Sequence, residues 1–341
     1  MGKYLILFIF ILLAPFGALG YYCLPTKDDL AEQQTELVRE GETLRQVVER
    51  LAERRILRFP RLFLLLARID GQDHTIQAGE YTLDPFVSPR EILQTLLAGR
   101  VILYRVTVPE GTSLGRIAAL LEERGLAEGS DVLRVSRDPD FLRETGIEAS
   151  TLEGYLFPDT YFFARGLTVE TLLKTMVRRF QAAYDADLRD RQSACGWNLH
   201  EIVTLASIVE AEAARPEERP LIASVLINRL SRGMPLQSDP TVIYGIEGFD
   251  GNLRREDLRS QQPYNTYVHK GLPPGPICNP GLESLKAVLY PAETDYLYFV
   301  SRNDGTHLFS TSLGDHNRAV QRYQKGGAGR HGHSTSGKGR R

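Results

Sequence analysis

The most constraining feature of this 341-residue chain is a segment near residue 200 that is apolar on nearly every side of a helix. Asn198, with Glu201 three residues later, forms a capping pattern that predicts a helix from Leu199 to Ala214. The apolar side chains of this segment are Ile202, Val203, Leu205, Ala206, Ile208 and Val209. A helix of this kind has to be buried, so the rest of the fold must surround it.

Two glutamates lie near the end of this helix. Glu210 and Glu212 point about 200° apart around the helix axis, so they are not expected to serve one cleft together. The side chains that share a face with Glu210 are small or apolar: Val203, Ala206 and Ser207. Such surroundings exclude water and favour the protonated form that a general acid needs. A surface or salt-bridged glutamate at a helix end is the alternative that the pattern leaves open.

Beyond this helix the chain carries long loops rich in amides, hydroxyls and aromatic rings. The stretch from Pro235 to Pro280 has little periodicity, and loops of such length in a compact protein are usually functional. Amides and hydroxyls bind sugar hydroxyls, and aromatic rings stack on the apolar faces of sugars. The loops therefore indicate a sugar-binding surface, although Asp239-Pro240 and Pro274-Gly275 are also ordinary turn formers.

The N-terminal half contains two stretches that resemble each other. Val38–Leu44 matches Val108–Leu114, and each opens an amphipathic run at helical spacing. Gly79–Tyr81 matches Glu153–Tyr155, and a capped helix follows each of them. The pattern predicts two α+β repeats of roughly 70 residues.

Further elements are predicted in the C-terminal half. A helix over about Pro220–Arg232 is expected to stop at Gly233, and the turn Asn303–Gly305 is expected to join two strands of a hairpin.

An uncharged run of 19 residues, Tyr4–Tyr22, follows Lys3 at the N-terminus. At about 1.5 Å per residue this run just spans a hydrocarbon core of about 30 Å, which predicts a transmembrane anchor. The positive-inside rule then places the N-terminus in the cytoplasm and the chain after Cys23 on the other side. A cleaved signal peptide is the alternative, because Ala18–Gly20 has small residues at the spacing that signal peptidase recognises.

Composition excludes several classes of protein. The chain has 41 basic and 43 acidic residues, so its charge does not favour nucleic acid as a partner. Three cysteines are too few and too far apart for a disulfide framework or a four-ligand zinc site: Cys23, Cys195 and Cys278. The seven histidines form no metal-binding motif, and no nucleophile elbow is present, which argues against a zinc or serine hydrolase. No metal or cofactor is expected.

Several ordered motifs resemble one known family. They are Glu153–Asp159 (EGYLFPD), Leu205–Glu210 (LASIVE), Ile227–Leu230 (INRL), Leu236–Gly245 (LQSDPTVIYG), Tyr264–Tyr267 (YNTY), Gly271–Gly275 (GLPPG) and Tyr296–Val300 (YLYFV). Together they closely resemble the endolytic murein transglycosylases of the MltG/YceG type, over about residues 36 to 323.

The resemblance implies an α+β protein of the inner membrane with one transmembrane helix. Its expected parts are an anchor at 1–23, a linker at 24–35, a LysM-like α+β subdomain at 36–102 and an α+β catalytic domain at 103–323. The N-terminus would be cytoplasmic and the catalytic domain periplasmic. Residues 324–341, rich in Gly, Ser, His and basic side chains, are expected to be a disordered tail.

Glu210 matches the catalytic glutamate of that family. The resemblance implies that it protonates the oxygen between MurNAc and GlcNAc and then removes the proton from the C6 hydroxyl of MurNAc, leaving a 1,6-anhydro end on nascent glycan strands. Ala211 and Ala213 depart from the Lys and Thr that many members carry there, whereas Glu212 matches. The expected substrate-binding residues are Glu153, Tyr155, Asp159, Gln237, Ser238, Asp239, Thr241, Tyr244, Tyr264, Asn265, Thr266 and Tyr267.

The expected partners are peptidoglycan strands and peptidoglycan synthases of the penicillin-binding type. The competing hypothesis is a non-catalytic protein that binds or organises peptidoglycan in the envelope. A LysM-like repeat alone would suit either function. An acid on an apolar helix face favours the enzyme, because a pure binding module has no need of it.

Overall fold

The computed structural model describes residues 13, 16–24, 34–69, 76–83 and 87–325, and it confirms a mixed α+β fold. The strands are β1 (Gln34–Val38), β2 (Gly79–Leu83), β3 (Val101–Thr107), β4 (Thr160–Ala164), β5 (Tyr298–Ser301) and β6 (His307–Ser310). The helices are α1 (Leu44–Glu53), α2 (Pro60–Ile69), α3 (Pro89–Leu97), α4 (Leu114–Glu123), α5 (Gly129–Val135), α6 (Pro139–Thr145), α7 (Val169–Ala183), α8 (Ala186–Cys195), α9 (Leu199–Glu212), α10 (Arg219–Ser231), α11 (Asp239–Tyr244), α12 (Leu282–Leu289) and α13 (Leu313–Val320). The chain divides into two compact units.

The first unit comprises Met1–Val106, Ala119–Asp131 and Thr160–Leu172. It carries a four-stranded sheet in the order β1-β2-β3-β4, in which β2 runs antiparallel to both β1 and β3. Alternate residues of β2 are buried, and the hydroxyl of the fully buried Tyr81 donates to the carbonyls of Gln77 and Leu96. This pattern is what a sheet with one covered face requires.

The two predicted repeats share an order of elements but differ in detail. The first runs β1-α1-α2-β2-α3, and the second runs β3-α4-α5-α6-β4-α7 with one additional helix. The proposed match of Gly79–Tyr81 with Glu153–Tyr155 is wrong, because the first segment begins strand β2 whereas the second is a turn. Gly154 has a φ of 89°, which bends the chain there and leaves Glu153 in the interior.

The second unit comprises Thr107–Ala118, Val132–Asp159 and Leu173–Arg341, and α9 forms its centre. Eight consecutive residues of α9, Ile202–Val209, are buried, and α10, α11 and α12 pack around the helix. The predicted capping box of Asn198 and Glu201 starts α9, and the extended backbone of Ala213 ends it. The expectation that this helix lies in the core is confirmed.

The other predicted elements of this unit are also present. Helix α10 ends before Gly233, whose φ of 64° suits glycine, and β5 and β6 form an antiparallel hairpin.

The structure describes only part of the N-terminal segment and none of the chain after residue 325. Most of the predicted anchor, the linker residues 25–33 and the tail from 326 onward lie outside the described residues. Among the described residues, no helix combines the length and hydropathy that crossing a membrane requires. Gln324 and Lys325, expected to begin a disordered tail, belong to a π-helical turn, Gln321–Lys325.

Candidate active site

Glu210 lies two residues before the end of α9, and three donors hold its carboxylate. Oε1 accepts a hydrogen bond from Nη2 of Arg219 at 2.9 Å. Oε2 accepts from the backbone N–H of Gly281 at 3.0 Å and from the hydroxyl of Ser284 at 2.7 Å. The Glu210 side chain is only 7% exposed. Because Gly281 caps the start of α12, the carboxylate also lies where the helix dipole favours negative charge.

The expected apolar setting of Glu210 is wrong at the carboxyl group itself. The residues on the same face of α9 are small or apolar as predicted, but the hydroxyl of Ser207 accepts a hydrogen bond from the backbone N–H of Ile277 instead. The groups that contact the carboxyl come from α10 and from the start of α12. The periodicity of α9 cannot predict contacts that other helices make. The environment is that of a salt-bridged glutamate, the alternative that the sequence left open.

Sequence reasoning missed Arg219, Ser284 and Glu110, which complete this cluster. Nη2 of Arg219 also donates to Oε2 of Glu110 at 3.1 Å. Glu110 belongs to the Val108–Leu114 motif, which served only as evidence for a repeat. That motif is the one sequence signal from which Glu110 could have been found.

A cavity of about 990 Å³ lies in the same unit, and its wall includes Ala211, the residue after Glu210, but not Glu210 itself. Gly111 lines this cavity, and a Cβ at Gly111 would lie 3.6 Å from Cγ of Glu210. The wall also carries the rings of Tyr244 and Tyr264, whose centroids are 4.8 Å apart. Aromatic rings of this kind offer apolar faces to a sugar. We call this space the first cavity.

Glu153 lines the first cavity but is itself almost fully buried. Its carboxylate accepts hydrogen bonds from the N–H of Leu114, the hydroxyl of Tyr244 at 3.0 Å and Nδ2 of Asn279 at 3.1 Å. Burial raises the pKa of Glu153 to about 7, against the pull of the hydrogen bonds. Glu153 therefore holds Tyr244 in the wall of the cavity and titrates near neutral pH.

The buried carboxyl of Glu153 predicts a pH-dependent stability. Because its pKa rises from 4.5 to about 7 on folding, the folded protein binds this proton more tightly than the unfolded chain does. This contribution to the free energy of unfolding is fully present below pH 4.5 and falls as pH rises to about 7, by about 3 kcal/mol. The free energy of unfolding, measured by urea denaturation between pH 5 and 8, should fall less steeply with pH in Glu153→Gln than in the wild type. An equal pH dependence in the two proteins would contradict a contribution of Glu153 to the pH dependence of stability.

Glu212 points into a different cavity, as the helix geometry predicts. This second cavity, of about 500 Å³, is also lined by Gln237, Asp239 and Tyr267. Oε1 of Glu212 accepts a hydrogen bond from the hydroxyl of Ser238 at 2.6 Å, and burial raises the pKa of Glu212. The Tyr267 hydroxyl donates to Oδ1 of Asp239 at 2.6 Å. The two glutamates of α9 thus have separate surroundings.

Four of the expected substrate-binding residues are buried and hold loops together. Ser238, Thr241, Asn265 and Thr266 are each at most 2% exposed. The Thr266 hydroxyl accepts from the N–H of Ser238 at 3.0 Å and shares a hydrogen bond with the Thr241 hydroxyl at 2.8 Å. Nδ2 of Asn265 donates to the carbonyl of Ser260 at 2.8 Å. These contacts join the start of α11 to the loop before residue 270.

Two further expected residues lie away from both cavities. Tyr155 is 1% exposed, and its hydroxyl is 3.0 Å from Nδ1 of His200. Asp159 forms an ion pair with Arg179 at 2.6 Å. The structure therefore divides the expected substrate-binding residues into three groups: wall residues of the first cavity, wall residues of the second cavity, and residues that hold the surrounding chain.

Within the ranges given above, no group of three or more His, Cys, Asp or Glu side chains could hold a metal ion. Cys278 is buried in the wall of the first cavity with a free thiol.

The fold and the site define a class of protein: an α+β protein in which carboxylates on and around a buried helix adjoin cavities with both polar and apolar walls. Sites of this class suit acid–base chemistry on a polar ligand. The chain belongs to the YceG-like family, whose model matches residues 37–322. The resemblance noted in the sequence is thereby confirmed.

Named relatives match most of the chain. It is 32% identical over 302 residues to the endolytic murein transglycosylase of Bacillus subtilis (strain 168), covering 83% of this chain and 82% of that protein. It is 30% identical to the endolytic murein transglycosylase of Streptococcus pneumoniae serotype 2 (strain D39), covering 91% of this chain and 62% of that protein. A 2.6 Å crystal structure of a YceG-like protein from Listeria monocytogenes matches with a TM-score of 0.59 and 31% identity, over 84% of this chain and 98% of that one.

Proposed function

We propose that this protein is an endolytic lytic transglycosylase that cleaves peptidoglycan glycan strands. Relatives that carry this activity in their names support the proposal over most of the chain. The observation that carries it is the placement of Glu210. Its carboxylate is fixed by Arg219, Gly281 and Ser284, and its neighbours Gly111 and Ala211 line a cavity of about 990 Å³. A protein that only binds glycan needs no carboxylate held in this way.

The proposed reaction uses Glu210 twice. As an acid it gives its proton to the oxygen of the β-1,4 bond between MurNAc and GlcNAc, and the bond to C1 of MurNAc breaks. As a carboxylate it then takes the proton of the MurNAc C6 hydroxyl, whose oxygen bonds to C1. The products are a GlcNAc hydroxyl end and a 1,6-anhydroMurNAc end, which would terminate or trim a growing strand.

One carboxylate is enough for this reaction. Hydrolysis at a sugar normally needs a second carboxylate to activate water or to form a covalent intermediate. Here the attacking hydroxyl belongs to the substrate, and its effective concentration replaces that activation.

The glycan is proposed to contact both cavities. Tyr244 and Tyr264 offer ring faces in the first cavity, while Gln237, Asp239 and Tyr267 offer polar groups in the second. A glycan strand presents hydroxyls at the edges of its sugar rings and apolar ring faces between them, so it can bind both the aromatic rings and the polar groups of these cavities. Synthases of peptidoglycan remain proposed partners.

The proposed organisation follows the sequence. Residues 1–23 would anchor the protein in the inner membrane, 24–35 would be a linker, 36–102 a LysM-like subdomain and 103–323 the catalytic domain on the periplasmic side. Residues 324–341 would be a basic tail. Protease added to intact spheroplasts should degrade the chain beyond about Cys23 while the protein stays with the membrane. Release of a soluble mature form would instead identify a cleaved signal peptide.

Mass spectrometry of the digestion products tests the activity. The purified protein, incubated with uncrosslinked glycan strands, should release internal fragments that end in 1,6-anhydroMurNAc. Fragments with a reducing MurNAc end would identify a hydrolase. Binding to strands with no cleavage at all would support the non-catalytic alternative.

A further inference from the structure

A single nitrogen of Arg219 serves two carboxylates. Nη2 is 2.9 Å from Oε1 of Glu210 and 3.1 Å from Oε2 of Glu110. The Nε of the same guanidinium is buried and has no hydrogen-bond partner in the part of the chain that the structure describes. Arginine binds a carboxylate most strongly through two parallel hydrogen bonds. Arg219 does not form such a pair of parallel hydrogen bonds here, because its Nη2 donates to both Glu110 and Glu210.

The two acids differ in their exposure to solvent. The Glu110 side chain is 47% exposed, whereas the Glu210 side chain is 7% exposed. With both acids ionised, two negative charges share the one positive charge of Arg219. Burial, and then the negative charge of Glu210, raise the pKa of Glu110.

We propose that Glu110 is a positioning residue that keeps Glu210 able to take up the proton it donates, an inference that rests on the proposed function. Without Glu110, Arg219 would pair with Glu210 alone, in addition to the donors at Gly281 and Ser284. Three donors and an undivided positive charge would hold Glu210 as a carboxylate, which cannot act as an acid. Glu110 weakens that hold by sharing the guanidinium and by adding negative charge.

Gly281 makes room for this arrangement. A Cβ at residue 281 would overlap Oε1 and Cδ of Glu110, so any larger residue would push that carboxylate away. The φ of Gly281 is −74°, which every residue tolerates. A larger residue here would therefore act by moving the Glu110 side chain and not by straining the backbone. The same residue donates its N–H to Glu210, so the three groups form one connected cluster.

Two further titratable groups face this cluster. Glu283, in the first turn of α12, adds to the repulsion on Glu110. The thiol of Cys278 is buried, and the charges of Glu153 and Glu210 help to raise its pKa. The thiol of Cys278 is neutral because its pKa is raised, and the charge of Glu283 is paired with Lys286 and exposed to solvent, so neither group shares Arg219 as Glu110 does. Substitution of Glu283 therefore serves as a control for the loss of a nearby acid that is not paired with Arg219.

The test is the pH profile of kcat/KM for release of anhydro-ended products by the full chain. In Glu110→Gln, the alkaline limb of the profile is expected to move to lower pH by about one unit, because glutamine is neutral and the positive charge of Arg219 is then balanced by Glu210 alone. The value at neutral pH should drop about tenfold, while the plateau at low pH and KM should stay close to wild type. Glu110→Asp keeps the charge with a shorter reach and should recover part of the shift.

Two more variants make the result decisive. Gly281→Ala pushes the Glu110 carboxylate away without removing any charge, and it should also move the alkaline limb of the pH profile to lower pH. This variant tests the role of Glu110 even if Glu110→Gln does not fold. Glu283→Gln removes an acid that is 61% exposed and does not contact Arg219, and its profile should match the wild type. Unchanged profiles in Glu110→Gln and Gly281→Ala would overturn the inference, provided that Glu210→Gln is inactive. An active Glu210→Gln would instead overturn the proposed function.

Discussion

Replacement of Glu210 by glutamine should abolish turnover while the fold and the binding of glycan are kept. General acid catalysis contributes about 10²- to 10⁴-fold, and here one group serves as both acid and base, so the loss should reach or exceed the top of that range. Glutamine keeps the shape of the side chain and can still accept from Arg219, but it has no proton to exchange. The measurement is the rate at which anhydro-ended fragments form, with circular dichroism as the check on folding.

Glu212→Gln is the matched control on the same helix. Glu212 lines the second cavity and accepts from Ser238, so glutamine there should cost less than tenfold in rate. Near wild-type product formation by Glu210→Gln would refute the assignment of the acid. A folded but inactive Glu212→Gln would move the catalytic role to the second glutamate.

Asn279→Ala should cause the largest loss of stability among single substitutions at the site. The side chain is fully buried: Oδ1 accepts from the N–H of Leu156 at 2.8 Å, and Nδ2 donates to the carbonyl of Thr112 at 2.8 Å and to Glu153. Alanine leaves the buried N–H of Leu156 without its acceptor and removes one of the donors to the Thr112 carbonyl and to Glu153, which should lower the free energy of unfolding by about 2 to 4 kcal/mol. Urea denaturation of the purified variant measures the change.

Asn317→Ala provides the comparison. Asn317 is exposed on α13, so its loss should change the free energy of unfolding by less than about 0.5 kcal/mol. A loss of under about 1 kcal/mol in Asn279→Ala would mean that water replaces the missing amide, and the buried network would then not hold the loops as described.

Local patterns predicted the secondary structure of the site well. The capping box at Asn198, the burial of α9, the end of α10 at Gly233 and the hairpin β5-β6 all follow from features within a few residues of each other. Caps and periodicity act over one or two turns, so a single sequence reports them reliably.

The match between Gly79–Tyr81 and Glu153–Tyr155 shows that a short sequence pattern does not determine secondary structure by itself. The same residue types form a strand in one place and a turn in the other. Short segments of the same composition adopt the structure that their tertiary contacts favour, and Glu153 is turned inward to meet Leu114, Tyr244 and Asn279.

The sequence by itself determined that α9 is buried, that Glu210 and Glu212 point in different directions, and that the loops after it carry polar and aromatic side chains. Only the tertiary structure decided what surrounds each carboxyl. Arg219 and Ser284 reach Glu210 from α10 and α12, and Glu110 joins them from a loop about 100 residues earlier in the chain. Periodicity fixes the direction of a side chain from its own helix, whereas its electrostatic environment depends on groups that are distant in sequence and meet only when the chain folds.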